Sequence, residues 1–145
     1  MMDLEELKGD WLNLDFDERE FVVNAEQIVD FARAAGETAA RFTDPADPDF
    51  QAPPTFTARF HGRRLLPEDF PQIGLPLDAG KAVMPKRPLR PGAQLIGKSH
   101  LHEIYEKTGR SGRMIFLVSR MELYEAEELV SIVDSRMVIR EKPGS

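Results

Sequence analysis

The sequence predicts an α+β fold in which an antiparallel, curved β-sheet wraps a single α-helix. Three observations carry that expectation. Residues 25–35 place Ile28, Val29, Phe31, Ala32 and Ala35 at the three-and-four spacing of an amphipathic helix. Residues 93–107, 113–124 and 128–140 form three consecutive β-like runs. Between helix and runs lies a long stretch broken by prolines and glycines, with no sustained periodicity. The runs exceed the usual strand length of roughly 5–6 residues. Long consecutive antiparallel strands make a curved meander, and its one obvious cover is the apolar helix.

Taken in order, residues 3–12 (DLEELKGDWL) predict a short amphipathic helix or arm interrupted at Gly9, and residues 20–23 (EFVV) a short strand. Asn24 is the expected N-cap of the 25–35 helix, with Gln27 completing a capping box, and Gly36 is its expected stop. Residues 37–54 hold Pro45, Pro48, Pro53 and Pro54 among aspartates, which argues against regular structure. Phe42, Phe50 and Phe56 argue that this loop packs rather than floats. Residues 55–60 predict one helical turn. Residues 61–91, with Pro67, Pro71, Pro76, Pro85, Pro88 and Pro91, predict an irregular strap. Residues 108–112 (TGRSG) and 125–127 (EAE) are the expected connections between the three runs.

The 145 residues fit one domain spanning 1–145. A net charge of −6 argues against nucleic-acid binding, which needs a basic face. Absence of cysteine excludes disulfides, thiolate metal sites and a cysteine nucleophile, and it fits a cytoplasmic protein. No stretch approaches the ~20 consecutive apolar residues of a membrane span. The acidic start, MMDLEELKGDW, resembles neither a signal nor a transit peptide.

Residues 92–99 (GAQLIGKS) fit the phosphate-loop pattern G-x-x-x-x-G-K-[ST]. Such a loop must follow a buried strand and open a helix, so that backbone N–H groups meet phosphate. Here KRPLRP precedes it and a strand-like alternation follows, so the match is rejected. His100 and His102 share a strand face but have no third ligand, so no metal site is expected; polar positions on a solvent or interface face account for them. His61 is open to a structural or a pocket role. Lys86, Arg87 and Arg90 offer cations for phosphate groups, or simply a solvated edge.

The order helix, proline-rich loop, strap and three long strands resembles a hotdog fold. More narrowly, residues 28–36 (IVDFARAAG), 48–56 (PDFQAPPTF), 87–92 (RPLRPG) and 106–112 (EKTGRSG) resemble the MaoC-like, or FAS1-like, dehydratase N-terminal domain. The resemblance spans roughly residues 16–141. It implies hydration or dehydration of acyl thioesters on coenzyme A or acyl carrier protein, interconverting trans-2-enoyl and 3-hydroxyacyl groups with no cofactor beyond the thioester substrate. In active members an Asp and a His follow the helix in a G-D-x-N-P-x-H pattern. Laid from Gly36, that pattern puts Glu37 at the Asp and Phe42 at the His. No histidine occurs before His61. The acid/base dyad such chemistry needs is therefore expected to be missing.

The resemblance thus implies a catalytically silent subunit that shapes an acyl pocket beside a homologous catalytic MaoC-like hotdog subunit, in a heterodimer or heterotetramer. Pro53, Pro54, Thr55 and Phe56 are the expected pocket lining, with Lys86, Arg87 and Arg90 towards the phosphates. Whether the chain is itself an enzyme stays open. A self-sufficient homodimeric hydratase using Glu37 with His61 is one alternative; a non-enzymatic homodimer that binds acyl-CoA is another. Either way, the exposed sheet edge calls for a partner.

Overall fold

The computed structural model describes residues 3–110 and 112–141. Its sheet has five strands: β1 (Asp15–Val22), β2 (Pro76–Pro85), β3 (Gln94–Gly109), β4 (Gly112–Glu125) and β5 (Glu128–Arg140). They run in the spatial order β1-β3-β4-β5-β2, and all neighbours are antiparallel. The three predicted runs are β3, β4 and β5. Of the predicted 108–112 turn, Ser111 lies outside the described residues.

Helix α1 spans Leu4–Trp11, and helix α2 spans Ala25–Ala34. The predicted capping box of α2 is formed: Gln27 N–H donates to Asn24 Oδ1 at 2.9 Å, and Asn24 N–H donates to Gln27 Oε1 at 3.2 Å. Gly36 takes the left-handed conformation at φ 79°, as a helix stop requires. Ile28 and Ala32 are fully buried, with Val29 and Phe31 packed beside them, whereas Ala35 is exposed rather than core-facing.

Four boundaries differ from the sequence reading. First, the 61–91 stretch is not irregular throughout: residues 76–85 are β2, paired to β5. Its prolines sit at the strand's two ends, where a sheet-edge strand tolerates a missing N–H. Gly80, at φ 118°, absorbs a register shift between Asp78 and Lys81, and its N–H donates to Asp78 Oδ1 at 2.9 Å. Second, β1 begins at Asp15, not residue 20; its acidic residues are compatible with a strand whose outer edge faces solvent. Third, α1 runs through Gly9, which is exposed and meets no neighbour, so its propensity cost of about 1 kcal/mol is outweighed by packing of Leu7. Fourth, the proline-rich loop contains a short helix, α3 (Ala40–Thr43). The predicted turn at 55–60 is a 3₁₀ turn, Phe56–Arg59.

The inner face of the sheet carries two apolar clusters. One packs Leu95, Met121, Leu123, Val130 and Val133 beneath α2 with Phe50, Phe56 and Phe60. The other packs Leu101, Ile104, Ile115, Leu117, Met137 and Ile139 beneath Leu7 and Phe70. The sheet therefore has a second cover beyond α2, made by α1 and the strap. Trp11 seals it edge-to-face on Phe70 with ring centres 5.5 Å apart.

Candidate functional site

The loop leaving α2 is built by its aspartates. Asp44 Oδ1 accepts from Ala46 N–H at 2.9 Å, and Asp47 Oδ1 accepts from Asp49 N–H at 2.8 Å. These are Asx turns, so both carboxylates serve backbone geometry. The loop is pinned back by Gln51 N–H to Arg41 C=O and Ala52 N–H to Leu89 C=O, each 2.8 Å. Phe42, Phe50 and Phe56 are all buried, so the loop is packed as its aromatics suggest.

That return creates a hollow of about 230 Å³. Its walls are Gln51–Pro54 of the loop, Thr57 of the 3₁₀ turn, Pro85–Leu89 leaving β2, and Val130 and Ser131 of β5. Of the predicted pocket residues, Pro53, Pro54, Lys86 and Arg87 line it. Thr55 is exposed outside it, and Phe56 is a core residue at 0% exposure, set edge-to-face against Phe31 of α2 at 5.5 Å. Two lining residues were not found from the sequence. Thr57 and Ser131 are both buried, and their hydroxyls hydrogen-bond at 2.8 Å across a separation of 74 residues.

The three cations differ in availability. Arg87 is held by Glu125 and Glu128 at the β4–β5 turn, and its buried Nε has no acceptor among the described residues. Among the described residues, Arg90 reaches the carbonyls of Pro48 and Phe50, each at 3.4 Å, and no carboxylate. It shares a shallow hollow with Arg87 and Gly92, next to the first. Lys86 is exposed and has no ion pair among the described residues. Lys86 and Arg90 therefore retain charge for an anion, whereas that of Arg87 is largely neutralised.

Glu37 and Phe42 stand at the loop's start. Glu37 has a backbone hydrogen bond to Ala32 C=O at 2.9 Å and no side-chain partner among the described residues. Phe42 is 6% exposed, with the Arg41 guanidinium 4.5 Å from its ring centre. No hydrogen bond or ion pair joins Glu37 to His61 among the described residues. His61 belongs instead to a second hollow of about 380 Å³, walled by Leu65, the first half of β2 and Ser135–Met137. There Lys81 Nζ donates to Ala58 C=O at 2.7 Å and lies 3.3 Å from His61 Nδ1. Burial lowers the pKa of His61, helped by the charges of Lys81 and Arg19; burial also lowers Lys81 against the opposing pull of Asp78.

His100 Nε2 and His102 Nδ1 lie 3.3 Å apart, and Glu122 stands 3.8 Å from His100 Nδ1. No group of three metal-ligating side chains exists among the described residues. The strand following Gly97 confirms that residues 92–99 do not open a helix. Among the described residues, no helix is long and apolar enough to cross a membrane.

The family model described as "FAS1-like, dehydratase domain region" matches residues 10–133. No curated protein matches the sequence significantly. Among solved structures, the chain is similar to the MaoC-like dehydratase from Rhodospirillum rubrum, with TM-score 0.65, 18% identity, and 99% of each chain covered. It is similar to a chain of the ChsH1-ChsH2 complex from Mycobacterium tuberculosis, with TM-score 0.65 and 20% identity, over 98% of this chain and 91% of that one. It is also similar to a chain of the HadBC (3R-hydroxyacyl-ACP dehydratase) complex from the same organism, with TM-score 0.66 and 20% identity, over 94% and 98%.

Proposed function

This chain belongs to the FAS1-like dehydratase domain region family and has a MaoC-like hotdog fold, and we propose that it is the catalytically silent subunit of an acyl-thioester hydratase or dehydratase. Its ligand would be an acyl thioester of coenzyme A or acyl carrier protein, and its partner a homologous hotdog carrying the acid/base pair. The observation that carries the reading is the state of the loop after α2. The position that resembles the catalytic His is Phe42, which is buried and cannot transfer a proton. No histidine precedes His61, and His61 is bonded into a different hollow from the one beside that loop.

What remains is a binding wall. The hollow between Pro53, Pro54, Pro85 and Val130 is apolar enough for an acyl chain, with Lys86 at its border and Arg90 beside it for phosphate charge. The sheet edge at β2 supports a partner. β2 ends the sheet, and Leu75 and Leu77 beside its free edge are 74% and 55% exposed. Two of the similar structures are complexes named for two components, which supports a pairing of unlike subunits here.

The test is turnover. The chain is purified alone and together with a MaoC-like hotdog encoded beside it, and loss of enoyl absorbance is followed with crotonyl-CoA and a longer enoyl-CoA. Silence alone and turnover in the mixture are expected. Turnover by the lone chain that disappears in Glu37→Gln would overturn the reading. Tight acyl-CoA binding by a stable homodimer that activates no partner would make it a binding module instead.

A further inference from the structure

The deep wall of the apolar hollow is not wholly apolar. Thr57 and Ser131 are each 2% exposed and border it, and their hydroxyls share one hydrogen bond of 2.8 Å. Two hydroxyls bring two O–H donors. The shared bond uses one of them. The other has no acceptor among the described residues: neither side chain makes a second hydrogen bond. A buried donor without an acceptor is costly, so its persistence beside a cavity points to an acceptor supplied from outside the chain.

Both groups are also firmly placed. Ser131 lies on β5, between Leu123 of β4 and Pro85 of β2. Thr57 is in the 3₁₀ turn, whose Phe60 N–H donates to Thr57 C=O at 3.0 Å. Donors fixed on paired strands and a hydrogen-bonded turn are pre-organised, and a ligand need not order them.

We propose that the Thr57–Ser131 hydroxyl pair is a specificity-determining contact that donates a hydrogen bond to an oxygen of the bound acyl group. The inference rests on the acyl-pocket reading above and deepens it. It selects acyl groups with an acceptor oxygen at that depth over plain hydrocarbon. The oxygen is either the thioester carbonyl or a keto or hydroxyl oxygen further along the chain. A site built around a buried polar group discriminates strongly, because a ligand lacking the matching atom leaves the donor unpaired.

The experiment is calorimetric titration of the full chain, alone and with its hotdog partner. Three probes of equal length are compared: S-hexyl-CoA, a thioether without acyl oxygen; hexanoyl-CoA, with only the thioester carbonyl; and a keto-substituted hexanoyl-CoA. The unmodified chain is expected to bind an oxygen-bearing probe about tenfold more tightly than S-hexyl-CoA, the scale of one well-made hydrogen bond. A preference already present with hexanoyl-CoA assigns the contact to the thioester carbonyl. One that appears only with the keto probe assigns it to the distal oxygen. The double variant Thr57→Val/Ser131→Ala removes both hydroxyls together, so neither is left without its mate, and it should abolish the preference while retaining S-hexyl-CoA binding. Equal binding of all three probes by the unmodified chain overturns the inference without needing the variant. So does a preference that survives the double substitution. Binding of none of the probes, alone or in the complex, overturns the acyl-pocket reading as well.

Discussion

The two halves of the sheet's inner face are covered by different means. Under α2, the cluster around Phe56 and Leu123 abuts the hollow that the buried Thr57–Ser131 hydroxyl pair also lines. Under α1 and the strap, Leu7, Trp11 and Phe70 close over Leu101, Ile115 and Leu117, and that cluster borders neither hydroxyl nor the acyl hollow. The α2 cover continues into a fourteen-residue excursion, 37–50, whose return at Pro53 and Pro54 stands off the sheet. One half is thus open to the acyl hollow and the other closed to it, meeting only the separate His61 hollow at Met137. If that division is functional, damage to the two halves should separate stability from binding.

The largest effect is expected at Phe56. It is fully buried and sits edge-to-face against both Phe31 and Phe60, each at 5.5 Å. Phe56→Ala should cost about 3–5 kcal/mol, read from the denaturant midpoint. Because Thr57 follows directly, acyl-CoA affinity should fall as well. Leu7→Ala, in the closed half, should cost about 2–5 kcal/mol and leave affinity unchanged in the fraction that stays folded. Equal loss of binding in both variants would break the division.

A matched pair of glycines sharpens it. A Cβ at Gly74, beside the closed half, would stand 2.6 Å from the Arg140 carbonyl oxygen, which is backbone and cannot rotate away. Gly74→Ala should cost about 1–3 kcal/mol. In the open half, a Cβ at Gly97 meets the flexible Met121 side chain at 2.7 Å and the Phe21 ring at 3.0 Å. Met121 can take another rotamer. Gly97→Ala should therefore lower the melting temperature less than Gly74→Ala, and the reverse order would show that the open half is the more rigid.

The same division explains what the sequence made legible. α2 and β3–β5 were readable because each buries one face against a continuous core, which imposes periodicity on the residues. β2 was not, because Pro76, Pro85 and Gly80 signal a break, and its pairing with β5 overrides that local signal. The helix of the second cover was readable in residues 3–12, but its use was not: Leu7 and Phe70 meet there from positions 63 residues apart, which no local period encodes. In the site, Pro53 and Pro54 were found from the loop's return. Thr57 and Ser131 were not, because their meeting depends on sheet register. The only hint was Ser131 within the apolar run Leu129–Val133.

A smaller effect belongs to the capping box of α2. Asn24→Ala removes the acceptor for Gln27 N–H and should cost about 1 kcal/mol. Since α2 covers only the open half, hydrogen exchange should rise first at the amides of residues 25–36 and at the loop they support, not in α1. Uniform acceleration across both covers would mean that the halves open as one unit.

The subtlest test uses pH, because a histidine belongs to each setting: His61 to the hollow beside β2, His100 to the outer face of β3. Burial lowers both folded pKa values from the ordinary 6.5; Lys81 and Arg19 lower His61 further, while around His100 Glu122 and Asp15 oppose burial and His102 and Arg120 assist it. The unfolded chain therefore binds protons at 6.5 that the folded chain refuses. Between the folded values and 6.5, stability rises with pH and is lost as pH falls. Melting temperature measured from about pH 5 to 8 should decline on the acid side for this reason. His100→Gln should flatten that decline more than His61→Gln, because the His100 side chain is the more buried, while His61 is exposed to solvent. A decline unchanged by both substitutions would assign it to carboxylates instead.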